Sequence, residues 1–427
     1  MSQCIRPALA WIDGDFRRGY EIEIVGGCIA SVRQTESDAT HPQEAVIPGF
    51  VNAHSHAFQR GLRGLGEVFT TPEDDFWSWR SAMYELVDSL TPESAYEHSL
   101  QAFREMRAAG MTSVGEFHYI HHSDAGIDWA LDDAVCSAAN DAGIRLVLLH
   151  ACYLAGGFGQ SLAGAQCRFD GGDMATWWKA VDRAQSACLG SMQSVGVVIH
   201  SLRAVPIDVA SAIREEARHR GMVIHLHLEE QPAEIEACVA AHGCTPMRLV
   251  LEHLSPGEDM TAVHCTHTTE TDMADYAAAG GGVCLCSLTE ANLGDGIADV
   301  VGMRASGASL CLGSDSNARI SMLEEMRLCE YGQRLRDGRR GACVNASGRI
   351  DVPLIDMATR GGAAALGLDA GNIEVGALAD FVCIDLEATP LASTTDQTLS
   401  TALITGGDVR CISNTIIGGL RGEPRDA

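Results

Sequence analysis

Between residues 46 and 315 the chain repeats one pattern, in which a short apolar run is followed by a longer segment of helical period. The apolar runs are Val46–Val51, Met111–Phe117, Ile144–Leu149, Val195–Ile199, Met222–Leu226, Thr261–Val263, Gly282–Leu285 and Ser309–Leu312. Helical segments such as Pro92–Ala109 and Val205–Arg220 separate most of them. Strands that alternate with helices form parallel sheets, because the connection between two parallel strands has to cross over the sheet.

Each apolar run ends in side chains that can bind or react. In chain order they are His54 and His56, His118 and Tyr119, His150, His200 and Arg203, His227 and Glu230, His264 and His267, Thr289 with Glu290 and Asn292, and Asp315. In a (β/α)8 barrel the carboxyl ends of the strands lie on one face, and that face carries the site. We therefore predict an α/β fold whose catalytic domain is a TIM-like (β/α)8 barrel over residues 48–360.

The two ends of the chain have a different pattern. Residues 20–25 alternate polar and apolar side chains ahead of a turn at Gly26 and Gly27, and residues 381–384 form another short apolar run. Both patterns are typical of short β-strands. We predict that residues 1–47 and 361–427 form one small β-sandwich domain, and that residues 59–90 are an insertion after the first barrel strand.

Composition restricts the partners and the compartment. The net charge of −27 argues against nucleic acid or an anionic membrane as a partner. No apolar run reaches the length of about 18 residues that a membrane helix needs, and the first residues lack the pattern of a secretory signal. The 16 cysteines include no Cys-x-x-Cys pair, which favours free thiols in a reducing compartment. We therefore expect a cytoplasmic protein that acts on a small molecule.

The first strand end has the spacing of a metal site. In His54-Ser55-His56 both imidazoles point to the same side of a strand, since side chains alternate between its faces. Catalytic zinc takes three or so protein ligands and leaves a position for water. His227 and Asp315 complete a set of four. The alternative is that these are ordinary core or surface histidines. We predict one Zn²⁺ in this set, with Fe²⁺ and Mn²⁺ as the other candidate ions.

In their sequence context these residues resemble the amidohydrolase superfamily. The matching stretches are Pro48–His56, His225–Glu230, His264, Gly313–Asp315 and Gly371–Asp380. The resemblance covers essentially the whole chain and implies a metal-dependent hydrolase. It also implies a single ion, because the fourth run ends in Ile199-His200 without a bridging lysine. In the deaminase pattern a carboxylate follows the metal ligand by three residues, which favours His227 over His225 as the ligand.

The residue types indicate how such a site would work. Asp315 can bind the ion and accept the proton of the attacking water, and His264 can stabilise the charge that forms on the substrate. Glu230 can carry a proton to the departing nitrogen, so that ammonia leaves as a neutral molecule. The alternative for Glu230 is a solvated carboxylate at the start of a helix, although Glu229 beside it could be the solvated one.

A closer resemblance is to the formimidoylglutamate deiminases, a family of histidine breakdown within that superfamily. Five stretches carry it, namely His54–Arg60, Asp75–Arg80, Glu116–His122, His200–Val205 and Thr289–Gly296. The resemblance implies hydrolysis of N-formimidoyl-L-glutamate to N-formyl-L-glutamate and ammonia, by a homodimer. One alternative is a related deaminase that acts on another amidine, a guanidine or a heterocyclic amine. Another is a catalytically silent scaffold, although such scaffolds usually lose their ligands.

The implied substrate carries two carboxylates, and planar guanidinium groups bind carboxylates through paired hydrogen bonds. Arg80 and Arg203 are the candidates for this role, and the resemblance adds Gln59 and Tyr119 to the substrate-binding set. Arg80 could instead stack on a neighbouring tryptophan, Trp77 or Trp79. Tyr119 could instead be a plain wall residue.

Two features have no role that the sequence explains. Asn317 stands where the family's pattern has a histidine, two residues after the metal aspartate, so the surroundings of Asp315 are open. His118, His121 and His122 form a cluster that the proposed metal set does not need.

Overall fold

The computed structural model describes residues 2–67, 76–124, 126–188 and 190–422. Asp75, the first residue of one stretch of resemblance, lies outside the described residues, as do residues 423–427 of the predicted sandwich domain. Among the described residues, none of the helices is both long and apolar enough to cross a membrane.

The strands fall into three groups along the chain. The first group is β1 (Ser2–Ile5), β2 (Pro7–Ile12), β3 (Asp15–Arg17), β4 (Tyr20–Val25), β5 (Cys28–Gln34) and β6 (His41–Pro48). The second is β7 (Phe50–Ser55), β8 (Met111–His118), β9 (Arg145–Cys152), β10 (Gln193–Ile199), β11 (Ile224–Leu228), β12 (Met260–His264), β13 (Gly282–Leu285) and β14 (Ser309–Leu312). The third is β15 (Phe381–Asp385), β16 (Ile412–Ile417) and β17 (Leu420–Arg421).

Most of the helices lie between the strands of the second group. In chain order they are α1 (Phe76–Ser89), α2 (Pro92–Ala108), α3 (Ala130–Ala142), α4 (Met174–Ala187), α5 (Ile207–Arg220), α6 (Pro232–His242), α7 (Pro246–His253), α8 (Glu270–Ala278), α9 (Ser287–Leu293), α10 (Val300–Ala305), α11 (Met322–Asp337), α12 (Asp351–Asp356), α13 (Gly362–Ala365) and α14 (Leu399–Gly406). The start of α2 is well specified, because Thr91 caps the backbone N–H of Ser94 and Pro92 occupies the first turn.

The second group of strands forms the predicted barrel. Strands β7 to β14 lie side by side in chain order as one parallel sheet of eight strands. Its two edges meet at a bridge between Ser55 and Asp315. There the backbone N–H of His56 donates to the carbonyl of Asp315 at 2.8 Å, and the N–H of Asp315 donates to the carbonyl of His54 at 3.0 Å. The barrel prediction is confirmed, and the residues that close the barrel are themselves candidate metal ligands.

The flanking strands combine both ends of the chain, as predicted. One antiparallel sheet has the order β1-β4-β5, and a second has the order β17-β16-β15-β6-β2-β3. Strand β15 pairs with β6 so that Phe381 lies opposite Pro48. Ile22, Ile29, Phe381 and other buried side chains from both ends form one shared core. The domain limits at residues 47/48 and 360/361 stay a prediction.

Two predicted strands differ from the structure. The run Val46–Val51 is not one strand, because β6 ends at Pro48 in the flanking sheet and β7 begins at Phe50 in the barrel. The chain changes sheets at Gly49, where a Cβ atom would lie 2.2 Å from Thr112 Oγ1, so only glycine fits. The fifth run also lies two residues later than predicted, at Ile224–Leu228.

The barrel strands are held by burial on both sides. Every residue of β8 and β9 is buried, and β9 is apolar except at Arg145 and His150. Large side chains such as Phe103, Trp177 and Tyr276 fill the space between strands and helices. Burial of each such side chain contributes about 1.5–3 kcal/mol, so the strand ends are fixed by a large core beneath them.

Candidate active site

The predicted metal residues converge at the carboxyl ends of the barrel strands. His54 lies in β7 and His56 directly follows it, His227 lies in β11, and Asp315 follows β14. One donor atom from each of the four lies within 4.8 Å of the others, and all four side chains are buried. Gly313 makes this approach feasible, because a Cβ atom there would lie 2.7 Å from Cβ of His54.

The spacing of the donor atoms fits a small tetrahedral ion. Asp315 Oδ1 lies 3.2 Å from His54 Nε2 and 3.3 Å from His56 Nε2. His227 Nε2 lies 3.3 Å from the Nε2 atoms of both other histidines. When zinc binds four ligands at about 2.0–2.1 Å, geometry places those ligand atoms roughly 3.3–3.4 Å apart. The residues therefore fit a zinc-sized ion as they stand.

The hydrogen bonds of the rings also suit a bound cation. His56 Nδ1 lies 2.9 Å from the carbonyl of Phe117, and His227 Nδ1 lies 3.2 Å from the carbonyl of His200. A carbonyl only accepts, so each Nδ1 carries the proton and each Nε2 presents a lone pair to the same point. Burial lowers the pKa of His56 to about 3, which keeps its ring neutral as a ligand has to be. Two lone pairs directed at one point repel each other unless a positive ion lies between them.

Several residues of this region have left-handed backbone angles, among them Glu229, His264, Cys265, Asp315 and Asn317. The φ angle is 75° at His264, 45° at Asp315 and 54° at Glu229. Such angles are uncommon outside glycine and concentrate at functional sites, where the surrounding structure enforces them. At His264 and Asp315 they accompany side chains that line the cavity.

His264, at the end of β12, is surrounded by carboxylates. Its Nε2 lies 3.7 Å from Glu230 Oε1 and 3.8 Å from Asp315 Oδ2. Its Nδ1 lies 3.5 Å from Glu290 Oε1. Burial lowers the pKa of His264, but these carboxylates outweigh it and raise the pKa to about 10. Burial raises the pKa of Glu230, although His264 opposes that rise. His264 and Glu230 are thus arranged to hold and transfer protons.

The predicted substrate residues line the same cavity. It is a narrow cavity of about 60 Å³, lined by His56, Gln59, Trp79, Arg80, Met83, Tyr119, His200, Arg203, His227, Glu230, His264, Thr289, Leu293, Asp315 and Ser316. Arg80 and Arg203 also line a second, wider chamber that continues outward along α6. All residues of the predicted site except His54 therefore line one space, and His54 belongs to the donor group with His56, His227 and Asp315.

Specific contacts order the arginine side of the cavity. Gln59 Nε2 donates to the Tyr119 hydroxyl at 3.1 Å, while Gln59 Oε1 is buried without a hydrogen-bond partner. The Arg80 guanidinium lies 5.1 Å from the ring centre of Tyr84. Of the two tryptophans considered from the sequence, the side chain of Trp77 lies outside the described residues, and stacking on Trp79 stays an untested alternative. Burial raises the pKa of Tyr153, and both Arg203 and Arg80 oppose that rise, which places the two cations beside one phenol.

A sequence model of the amidohydrolase family matches residues 45–421. The chain belongs to the amidohydrolase family. It is 40% identical over 387 residues to a formimidoylglutamate deiminase of Pseudomonas aeruginosa. The aligned region covers 88% of this chain and 84% of the relative. Both resemblances inferred from the sequence, to the superfamily and to the formimidoylglutamate deiminases, are confirmed.

Solved structures agree with this family membership. The crystal structure of an amidohydrolase from Brucella melitensis has a TM-score of 0.90 at 32% identity and covers 98% of this chain and 94% of that one. An adenosine deaminase from Xanthomonas campestris, with bound zinc, has the same fold, with a TM-score of 0.80 at 22% identity and coverage of 98% and 92%. Amidohydrolases are metal-dependent, in agreement with the four converging donors.

Two further residues of this amidohydrolase line or border the site. His200 lines the cavity, with its ring centre 5.1 Å from Tyr119 and 5.0 Å from His227. Glu290, at the start of α9, faces His264. The sequence shows both as polar groups at strand ends, but the predicted metal, catalytic and substrate-binding sets do not include them. Their position after a strand was the available signal.

The structure separates the two histidines of β11. His225 Nε2 donates to the carbonyl of Ala365 at 2.8 Å, on a helix behind the barrel wall, and is absent from the group of four donors. The two carboxylates that follow are also distinct. From the sequence, Glu229 could have been the solvated carboxylate of the two. In the structure it is only 1% exposed, and it accepts a hydrogen bond from the backbone N–H of Met247 at 2.9 Å. Glu230 faces the cavity.

Asn317 connects the first and last barrel strands of this amidohydrolase. Its Oδ1 accepts from the Ser314 hydroxyl at 2.6 Å, and its Nδ2 donates to the Ser55 hydroxyl at 3.1 Å. Ser55 lies between the two histidines of β7, and Ser314 precedes Asp315. The amide thus braces both sides of the donor set, which is the role that the sequence left open.

The unassigned histidines surround one buried carboxylate on α3. Asp132 Oδ1 lies 3.0 Å from His118 Nε2 and 2.9 Å from His121 Nδ1, and Oδ2 lies 3.1 Å from His150 Nε2 and 3.2 Å from Arg183. His121 Nε2 lies 2.8 Å from the carbonyl of Ala151, so both of its nitrogens face acceptors. Asp132 therefore accepts four hydrogen bonds. The network fixes the backbone on either side of Tyr119.

Proposed function

We propose that this amidohydrolase hydrolyses N-formimidoyl-L-glutamate to N-formyl-L-glutamate and ammonia. The observation that carries the proposal is that Arg80 and Arg203 line the same cavity as His227, Glu230 and Asp315. A related enzyme for uncharged heterocyclic amines has no need of two guanidinium groups facing its donor set. The identity to the Pseudomonas aeruginosa relative supports the same substrate.

The charge distribution of the cavity matches that substrate. At the metal end, Glu230, Glu290 and Asp315 surround His264, and this surplus of carboxylates favours a cationic amidine. At the other end, Arg80 and Arg203 suit the two carboxylates of glutamate, since guanidinium binds carboxylate through paired hydrogen bonds. A substrate with a positive head and a negative tail is held in one orientation only.

His54, His56, His227 and Asp315 would hold the ion, and we propose a single zinc ion because the donor spacing fits its ligand distances. When bound, the ion supplies Lewis-acid activation of water at neutral pH. Asp315 directs Oδ1 toward the histidines, while Oδ2 is turned toward His264. Asp315 Oδ2 accepts the proton of the attacking water.

The remaining residues carry the reaction past the attack. His264 donates a hydrogen bond toward the attacking oxygen, which gains negative charge as its proton passes to Asp315, and the surrounding carboxylates hold the proton of His264. Glu230, which faces the cavity and has a raised pKa, gives its proton to the departing nitrogen. Gln59 Oε1, buried and without a partner, is available to an N–H of the amidine. Ammonia then leaves as a neutral molecule.

We propose that the protein is cytoplasmic. The thiols of all sixteen cysteines are free, which fits a reducing compartment such as the cytoplasm. The homodimer implied by the family resemblance stays a prediction. Neither nucleic acid nor membrane is proposed as a partner, given the net charge of −27.

The test is ammonia release from N-formimidoyl-L-glutamate and from N-formimidoylglycine, which lacks the side-chain carboxylate. Hydrogen bonds to a charged group contribute about 1.5–3 kcal/mol, so we expect kcat/KM to favour the glutamate compound by roughly 10- to 150-fold. Arg203→Met should remove most of this preference, whereas Arg410→Met, in an exposed pair with Asp408, should keep it. Equal turnover of both compounds by the wild type, or deamination of an adenine nucleoside instead, would refute the proposal.

A further inference from the structure

A second group of donor atoms lies at the base of the active site. His264, Cys286 and Asp315 each place one ligand atom within 4.8 Å of the others, and all three side chains are buried. They come from the ends of three neighbouring strands, β12, β13 and β14. Cys286 is the residue that precedes α9, and it has no part in the proposed hydrolysis.

Asp315 belongs to both donor groups but offers each a different oxygen. Oδ1 lies 3.2 Å from His54 Nε2 and 3.3 Å from His56 Nε2. Oδ2 lies 3.8 Å from His264 Nε2, on the other side of the carboxylate. A carboxylate can bind two ions at once through its two oxygens, so occupation of one group leaves the other available.

The electrostatic surroundings of this second group are strongly acidic. Glu290 Oε1 lies 3.5 Å from His264 Nδ1, and Glu230 Oε1 lies 3.7 Å from His264 Nε2. Several carboxylates in a buried space repel one another, and a divalent cation would reduce that repulsion.

We propose that His264, Cys286 and Asp315 bind a second, thiophilic divalent ion such as Zn²⁺ or Cd²⁺, and that this ion inhibits the enzyme. The inference rests on the proposed metal centre, since Asp315 is shared. Thiolate and imidazole ligands select soft or borderline ions over Mg²⁺ and Ca²⁺. The Cys286 thiol proton is released to solvent when the sulfur binds. The ion occupies His264, which is then unable to donate toward the substrate.

The fit needs only a small side-chain movement. In a tetrahedral zinc site with ligands at about 2.0–2.3 Å, neighbouring ligand atoms lie roughly 3.3–3.8 Å apart. The donors of this group lie within 4.8 Å of one another, so a shift of about 1 Å brings them to that spacing. Such a shift is within reach of a cysteine side chain at the start of a short helix.

Cys311 provides a matched control. It is buried in the barrel interior near Cys286, in a cluster with Ala53, Val263 and Cys284. Its thiol donates to the carbonyl of Val283 at 3.6 Å, and it does not belong to the donor group of His264. Substitution of Cys311 therefore removes a buried thiol of the same region without removing a proposed ligand.

The experiment titrates chelator-treated protein with Cd²⁺. Bound ions are counted by equilibrium dialysis with elemental analysis, and the thiolate-to-cadmium charge-transfer absorbance is followed in parallel. We expect two ions per chain in the wild type, with the absorbance appearing only with the second. Cys286→Ala should bind one ion without the absorbance, and Cys311→Ala should behave like the wild type.

Activity gives an independent measurement. With one equivalent of Zn²⁺ the three proteins should have equal turnover, and excess Zn²⁺ should inhibit the wild type and Cys311→Ala. Cys286→Ala should need at least tenfold more Zn²⁺ for half-inhibition. One ion per chain in the wild type, or charge-transfer absorbance that persists in Cys286→Ala, would overturn the inference. If Cys286→Ala does not fold, Cys286→Ser takes its place, and the number of ions bound by the wild type tests whether a second site exists. Absence of any bound ion would instead refute the proposed metal centre.

Discussion

His56 and His227 direct their Nε2 atoms at one point and hold them 3.3 Å apart. Each ring donates a hydrogen bond from Nδ1 to a backbone carbonyl. His56 donates to Phe117, and His227 donates to His200. Phe117 lies near the carboxyl end of β8, and His200 is the residue after β10. The barrel itself therefore sets the tautomer of both rings, and an ion between them replaces repulsion with attraction.

Removal of the ion should therefore destabilise the protein as well as inactivate it. An ion present at 100 times its dissociation constant contributes about 2.7 kcal/mol to stability. We expect a chelator to lower the unfolding temperature, and Zn²⁺ to restore both the temperature and ammonia release. Calorimetry of the wild type and of His56→Ala checks this, because the variant should respond far less to the chelator. An unchanged wild-type unfolding temperature would contradict the proposed centre.

Glu230→Gln should slow catalysis without a comparable effect on binding. Glutamine has the shape of glutamate but cannot deliver a proton, and general acid catalysis contributes roughly 10²- to 10⁴-fold. We expect kcat to fall by that order while KM changes by no more than a few fold. Glu234→Gln is the matched control, because this carboxylate lines only the outer chamber. Similar kcat values for both variants would show that Glu230 is not the proton donor.

The sequence predicts the barrel well because its signal is local. Each strand is an apolar run with a polar group at its end, and the spacing of His54 and His56 follows from the alternation of a strand. The error in the run Val46–Val51 has a nonlocal cause. The chain leaves one sheet for another at Gly49, and the reason is close contact with Thr112, far along the sequence.

The surroundings of the site could not be predicted for the same reason. His118 and His121 have no visible purpose in the sequence, because the carboxylate they share, Asp132, lies on a helix facing the barrel wall. Cys286 is one of sixteen scattered cysteines, and only the closure of the barrel places it beside His264. Local patterns thus predict the ligands, and only tertiary contacts show what supports them.

Substitution of Asn317 tests the brace between the two barrel edges. Asn317→Ala removes its hydrogen bonds to the buried hydroxyls of Ser55 and Ser314, at a cost of about 1–3 kcal/mol. The backbone adds to this cost, since φ is 55° and alanine disfavours that angle. Asn317→Gly removes only the hydrogen bonds and should be less destabilised. Urea unfolding measures both, and equal stability of wild type and Asn317→Ala would exclude the brace.

Asp132→Asn should lower the free energy of unfolding far more than Asp133→Asn does. Asp132 is completely buried and accepts from His118, His121, His150 and Arg183. Loss of its charge weakens the hydrogen bonds that four groups donate to one buried carboxylate, which costs at least about 1.5–3 kcal/mol. Asp133 also pairs with Arg183 but is 61% exposed in its side chain, so Asp133→Asn should cost no more than about 1 kcal/mol. Urea unfolding compares the two, and similar losses would show that the network contributes little.

His225 should make stability depend on pH below neutrality. Burial lowers the pKa of His225 from 6.5 to about 4, while its bond to the carbonyl of Ala365 opposes that shift. Above pH 6.5 the ring is neutral in both the folded and unfolded states. Between pH 6.5 and about 4 only the unfolded chain binds the proton, so stability falls as the pH falls. Below that range both states are protonated and the loss is constant.

His225→Gln isolates this contribution, because glutamine does not titrate and can still donate to Ala365. The free energy of unfolding of the wild type should fall with decreasing pH more steeply than that of the variant, by up to about 1.4 kcal/mol per pH unit. Other groups, including the metal ligands, titrate in both proteins and cancel in the difference. Denaturant unfolding at constant ionic strength between pH 7 and pH 5 measures it. Parallel pH profiles would mean that folding leaves the proton affinity of His225 unchanged.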